Sequence, residues 1–291
     1  MNKSMLGLIS GLVAASIWGG MYVVSKVVLE VIPPFTLLSL RLILGSVVLG
    51  GIVLVQRKGT FTKQNFRDSF LVGIVGYGIS LAFQFIGTKL STASNGALVT
   101  SATPAFVLLF APYLLGEKST AQRITALIIS TLGVIAVIDP RTADFTSSLF
   151  LGNLSLLAAA LTWALYSVLV RKVSLTADLI TSSMVMLIAG IPTSILFGFF
   201  ELNNQGVGEI TPGIVMGVLF LGVISTALAM SLWNYAFAEL PAAVASLTFF
   251  AQPVVGTFLG WLFLGEKITP LFILGGMLIG GGLLLSNFEE S

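Results

Sequence analysis

Trp18 and Tyr22 stand four residues apart, and Trp163 and Tyr166 three apart, so each pair shares a helix face near the middle of a long apolar run. Tryptophan prefers the membrane–water interface, and its indole N–H wants a partner when buried. Two copies deep in apolar sequence point to a polar, hydrated lining or to packing between helices. Tyr77, Gln84 and Thr88 lie along one helical stripe, and Thr226, Trp233 and Phe237 along another. Asn95, Thr103, Thr248 and Gln252 add amides and hydroxyls, while Asn234 and Tyr235 read as interface anchors. Such groups can stack on and hydrogen-bond a small amphipathic molecule. They supply no nucleophile with a base, no paired carboxylates and no metal ligands, which argues against an intramembrane enzyme. With zero His and zero Cys there is no disulfide, no thiolate site and no sign of a metal or other cofactor. No acidic residue lies near the middle of an apolar run, so facilitated diffusion or exchange is expected rather than proton coupling.

The elements that must hold these residues follow from composition. With 56% apolar residues, 9% charged residues and a mean hydropathy of +1.03, the chain has too little polar surface to face water, and the bilayer is its solvent. Crossing about 30 Å of hydrocarbon takes roughly 20 apolar residues per helix. Ten runs qualify, at 5–29, 35–55, 70–88, 95–115, 121–139, 150–170, 179–200, 212–237, 242–264 and 270–286. The longest connections, 56–69 and 201–211, leave no room for a soluble domain. The first run follows Lys3 and leads to Pro33-Pro34 rather than to a cleavage site, so it reads as a retained helix.

The chain is duplicated. Leu-Gly-Glu-Lys occurs at Leu115–Lys118 and at Leu264–Lys267, each 11 residues past a proline, Pro104 or Pro253. An offset of 145 aligns Gly7/Gly152, Trp18/Trp163 and Val23/Val168, with Lys26 opposite Arg171. The repeats are therefore residues 1–145 and 146–291. Five helices in each make their topologies inverted. With a cytoplasmic N-terminus, nine basic residues (Lys3, Arg57, Lys58, Lys63, Arg67, Lys118, Arg123, Arg171, Lys172) fall on inner loops and four (Lys26, Lys89, Arg141, Lys267) on outer ends. That bias puts both termini inside. The net charge of +2 is a topology signal, and no basic patch interleaved with aromatics suggests nucleic acid.

Pro104 and Pro253, mid-helix, should kink the fourth and ninth spans and free the carbonyls of Thr100 and Phe249 toward a cavity. Gly116 and Gly265 read as left-handed helix ends, Thr120 and Thr269 as N-caps, and Glu117 and Glu266 as neutralising the positive ends of the fifth and tenth helices. Arg41, about six residues into the second span, should snorkel and pair with Glu30 or draw a carboxylate to the outer mouth. Lys26, Lys89, Asp139 and Glu239 also lie near helix ends. Gly276 and Gly280 form a GxxxG pair that suits close packing within the chain, or a homodimer.

In these features the chain resembles the EamA-type transporters of the drug/metabolite transporter superfamily. The resemblance rests on Trp18 with Lys26, on Arg41, on the run from Ala93 through Pro104 to Lys118, and on its copy from Ala242 through Pro253 to Lys267. It implies an all-α membrane protein of ten helices in two inverted five-helix repeats, with a cavity between the halves and the fifth and tenth helices peripheral. It also implies transport of amino acids, other small metabolites or drug-like compounds, often outward. The expectation is a secondary transporter in the cytoplasmic (inner) membrane exporting amino acids or similar amphipathic metabolites, the two halves rocking about a midplane site. An aromatic-lined cavity importing choline-like or other cationic amines is the alternative.

Overall fold

The computed structural model describes residues 3–56, 62–116, 121–138 and 147–285. All regular structure in them is helical: α1 (Lys3–Val28), α2 (Pro34–Gln56), α3 (Lys63–Leu90), α4 (Ala93–Leu115), α5 (Ala121–Ile138), α6 (Ser148–Ser174), α7 (Leu179–Gln205), α8 (Pro212–Glu239), α9 (Val244–Leu264) and α10 (Pro270–Leu285). Among the described residues eight of them, all but α5 and α10, are long and apolar enough to cross a bilayer. α5 and α10 pack chiefly on each other.

Side-chain oxygens set most of the starts. Thr62, Thr92, Ser147, Asp178, Thr211 and Thr269 each accept a backbone N–H from the residue three positions on. Gly116 and Gly265 take left-handed φ values of 71° and 64° just past α4 and α9, as the repeated motif predicts. Glu117, Lys118, Thr120, Asp139 and Arg141 lie outside the described residues. α3 begins seven residues before the expected start, because the Thr62 cap extends it through the polar turn Lys63–Asp68. The long 56–69 connection is thus mostly helix.

Both α3 and α8 pass through a π-helical stretch, Ile74–Ser80 in one and Phe220–Leu228 in the other. The two stretches fall at equivalent places in the duplication and put Tyr77 and Thr226 in corresponding positions. A π stretch displaces the helix register where a site needs it. The matching helices run in opposite directions. Gly7, in the first turns of α1, lies against Leu240 at the end of α8, whereas Lys26, in the last turn of α1, reaches the end of α3.

The halves interlock. α1 packs chiefly on α8 and α9, α6 on α3 and α4, and α2 on α7. Glycines permit the closest approaches. A Cβ on Gly19 of α1 would meet the Gln252 carbonyl of α9 at 2.7 Å, and one on Gly190 of α7 would meet the Tyr77 backbone of α3 at 2.8 Å. Gly276 and Gly280 border an apolar groove between α4, α9 and α10, with Leu98 the nearest neighbour of Gly276.

Pro104 and Pro253 each follow a break in the helix rather than a bend. α4 stops at Thr100 and restarts at Thr103, so Pro104 occupies a first turn where its missing N–H is not needed. Thr100 and Phe249 both line the cavity described below; Thr103 Oγ1 donates to Thr100 O at 2.7 Å, and Ser101 Oγ donates to Leu98 O at 2.6 Å. In α9 the corresponding break is a 3₁₀ turn, Thr248–Phe250, where Thr248 Oγ1 donates to Ala245 O at 2.7 Å.

Candidate functional site

Trp18 and Trp163, equivalent in the duplication, meet edge to face with ring centroids 5.5 Å apart. Trp233 and Phe249 pack on Trp18 at 5.3 and 5.9 Å, and Tyr166 stacks on Trp163 at 4.5 Å. Beside this cluster lies a cavity of about 20 Å³, room for about one water. Six helices line it: α1 with Trp18 and Met21, α3 with Ser80, Leu81 and Gln84, α4 with Thr100 and Thr103, α6 with Ala159, Ala160 and Trp163, α8 with Met230, and α9 with Phe249 and Gln252. None of these side chains is titratable.

Two polar chains flank the cavity. In the first, Gln84 Nε2 donates to the Tyr22 hydroxyl at 2.8 Å, and Tyr22 shares a 2.8 Å bond with Thr100 Oγ1. Because Thr100 sends its own proton to Gly96 O at 2.6 Å, Tyr22 must be the donor to it. Gln252 Nε2 adds a 2.7 Å bond to the same oxygen. In the second, Tyr166 donates to Asn234 Oδ1 at 2.9 Å, so Tyr77 donates to Tyr166 at 2.7 Å. Asn234 Nδ2 continues to Ser183 Oγ at 2.8 Å. Each repeat thus supplies a tyrosine–amide pair. One side of the cavity remains incompletely satisfied: among the described residues the buried Trp163 Nε1–H and Gln84 Oε1 have no hydrogen-bond partner. A vacant donor and a vacant acceptor therefore belong to cavity-lining side chains, one of each on offer to a small molecule.

Of the candidates read from the sequence, Trp18, Gln84, Thr103, Trp163 and Gln252 line the cavity. Tyr22, Tyr77 and Tyr166, all fully buried, orient that lining from behind. Asn95 and Thr248 do not reach it. Asn95 Nδ2 bonds Asn153 Oδ1 at 3.2 Å beside the start of α4, and Thr248 packs on Gly11 of α1. Asn234 is 1% exposed, a buried link in the second polar chain and not an interface anchor.

Arg41 departs furthest from expectation. It is 0% exposed and does not pair with Glu30, which is exposed. Its guanidinium turns toward α8, donating from Nε to Thr226 Oγ1 at 2.7 Å and from Nη2 to Ser225 Oγ at 3.4 Å. Nη1 faces Met21 Sδ at 3.5 Å, and the Phe85 ring lies 5.1 Å below the charge. A charge held at bilayer depth costs roughly 2.5–3.5 kcal/mol or more, so this position is not incidental. Ser225 also ties Arg41 to the aromatic cluster, since its carbonyl accepts the Trp18 indole N–H at 3.0 Å.

Four further charges brace the two ends. Half-buried Lys26 donates from Nζ to the carbonyls of Thr88, Lys89 and Ser91 where α3 ends. Arg171 donates in the same way to the carbonyls of Phe237 and Leu240 at the end of α8. Glu266 does not serve α10. Its carboxylate accepts the N–H groups of Ala93 and Ser94, neutralising the start of α4. Glu201 does the same for Phe35 and Thr36 at the start of α2.

A sequence model of the EamA-like transporter family matches residues 5–138 and again 150–288. The chain belongs to that family. As a member of the drug/metabolite transporter superfamily it is a multi-pass membrane transporter. It is 29% identical to the uncharacterized transporter YoaV of Bacillus subtilis strain 168 over 100% of this chain and 99% of that one. It is 25% identical to YetK of the same organism, covering 99% and 89%, and 23% identical to an uncharacterized transporter of Archaeoglobus fulgidus, covering 94% of each. A solved crystal structure at 20% identity has the same fold, with a TM-score of 0.70 over 97% of this chain and 96% of that chain.

Proposed function

We propose that this transporter exports amino acids or similar small amphipathic metabolites by alternating access, through facilitated or exchange transport. The observation that carries the reading is the small cavity between six helices, whose lining side chains include a vacant indole N–H and a vacant amide oxygen. Such a cavity fits an occluded conformation whose site must widen to accept cargo. The lining holds no proton carrier, which favours flux without proton coupling. The outward direction follows the family resemblance.

In this reading there are ten spans in two inverted repeats, 1–145 and 146–291, with both termini on the cytoplasmic side of the inner membrane. A monomer suffices, because one chain lines the whole cavity. Lys26 and Glu266 hold the α3–α4 turn shut on the outer side, while Arg171 holds the α8–α9 turn shut on the inner side. Releasing one set while keeping the other opens the cavity to one side at a time.

The test is uptake by proteoliposomes of a radiolabelled panel of amino acids and choline-like amines, with and without a pH gradient. Saturable amino-acid flux that equilibrates without a gradient and falls in both Trp18→Ala and Trp163→Ala supports the reading. Accumulation driven by pH, uptake of cationic amines alone, or flux untouched by both substitutions in folded protein overturns it.

A further inference from the structure

Arg41 is a fully buried cation that no carboxylate contacts among the described residues. Its acceptors are two hydroxyls and a thioether, the latter weak, so a guanidinium with five N–H donors has bonding capacity to spare. One flexible side chain, Met21, separates it from the cavity: Met21 lines the cavity and its sulfur lies against Nη1. Across the same cavity stand Trp163, whose N–H is vacant, and Gln84, whose Oε1 is vacant.

We propose that Arg41 is the carboxylate anchor of the transport site, screened from the cavity by Met21 in this occluded arrangement. The inference rests on the transport reading of the cavity and names its cargo class: small organic carboxylates that also carry one hydrogen-bond donor, as amino acids and 2-hydroxy acids do. The substrate carboxylate displaces Met21 and bridges the guanidinium and the Trp163 N–H, while its hydroxyl or ammonium group meets Gln84 Oε1. The anion supplies the counter-charge that the protein itself withholds. A cationic amine would bring a like charge toward Arg41, which disfavours it despite the aromatic walls.

The experiment is counterflow into proteoliposomes of the full-length protein with matched ligands: L-alanine, L-lactate, L-alaninamide and choline. In the wild type, alanine and lactate should compete for one saturable flux, and alaninamide should be at least ~10-fold weaker. In Arg41→Met the preference for carboxylate over amide should collapse, with Arg41→Lys retaining part of it. Equal handling of alanine and alaninamide by the wild type overturns the assignment without recourse to any variant. Alanine flux that needs Trp163 but not Arg41 overturns the Arg41 assignment and leaves the transport reading standing, whereas flux of choline alone overturns both. Absence of saturable, Trp163-dependent flux for all four ligands overturns both.

Discussion

Lys26 and Arg171 occupy corresponding positions in the two repeats and make the same contact in opposite places, each donating to the terminal carbonyls of a neighbouring π-containing helix. A cation at a helix C-terminus is favourable both as a hydrogen-bond donor and against the helix dipole. The pair therefore brackets the cavity with two like fastenings, one at each end of the bundle.

Loosening one fastening should bias the conformation. Lys26→Met is expected to raise labelling of a cysteine at Ala159→Cys by an impermeant maleimide about 10-fold from the α3–α4 side, and Arg171→Met from the other side. The chain has no native cysteine, so a single engineered thiol reports without background. Equal labelling from both sides in each variant would count against separate gates.

Trp163→Phe separates function from stability. It removes a buried polar atom that lacks a partner, so the unfolding temperature in detergent should hold or rise. Uptake should nevertheless fall about 10-fold, since the loss removes one hydrogen bond to cargo. Gln84→Leu should lower uptake by a similar factor but also lower stability by about 1 kcal/mol, because it deletes the Nε2 bond to Tyr22 as well. Parallel loss of stability and uptake in Trp163→Phe would reassign that residue to packing.

Gly19→Ala tests how α1 seats on α9. The added Cβ would meet the Gln252 carbonyl at 2.7 Å and the Gly256 nitrogen at 2.9 Å, and main chain cannot rotate aside. A destabilisation of roughly 1–3 kcal/mol is expected, read as a lowered melting temperature. Gly51→Ala, with nothing within 4 Å, is the neutral control.

Glu266→Gln keeps the shape of the side chain but removes its charge from the start of α4. A loss of roughly 1 kcal/mol is expected, measured by thermal unfolding. An unchanged transition would mean that hydrogen bonding alone caps the helix.

Helix positions were legible in the sequence because hydrocarbon thickness imposes its own length and the caps are short-range. Trp18, Gln84, Trp163 and Gln252 were legible for a related reason, being polar or interfacial residue types deep in apolar runs. Arg41 was misread because distance from a helix end predicts snorkelling only when the side chain faces lipid, and here it faces α8. Glu266 was misread because its partner, Ser94, lies 172 residues away in sequence, beyond any local capping rule. Asn234 left a trace that can be recognised afterwards: at the 149 offset it falls opposite Phe85, one position from the equivalent of Gln84, so the repeats conserve an amide but not its place.

Arg41 also constrains how the protein is made. Thr226, which receives its shortest hydrogen bond, is 185 residues later in the chain, on the order of 10–40 s of translation. Throughout that interval α2 carries a cation whose two hydroxyl acceptors do not yet exist. It must wait beside water or the insertion machinery and settle into the bilayer only once α8 arrives, so the second helix to be synthesised is among the last to be fully seated. A chain truncated before α8 would strand that charge in lipid and present quality-control proteases with a helix that cannot stay put.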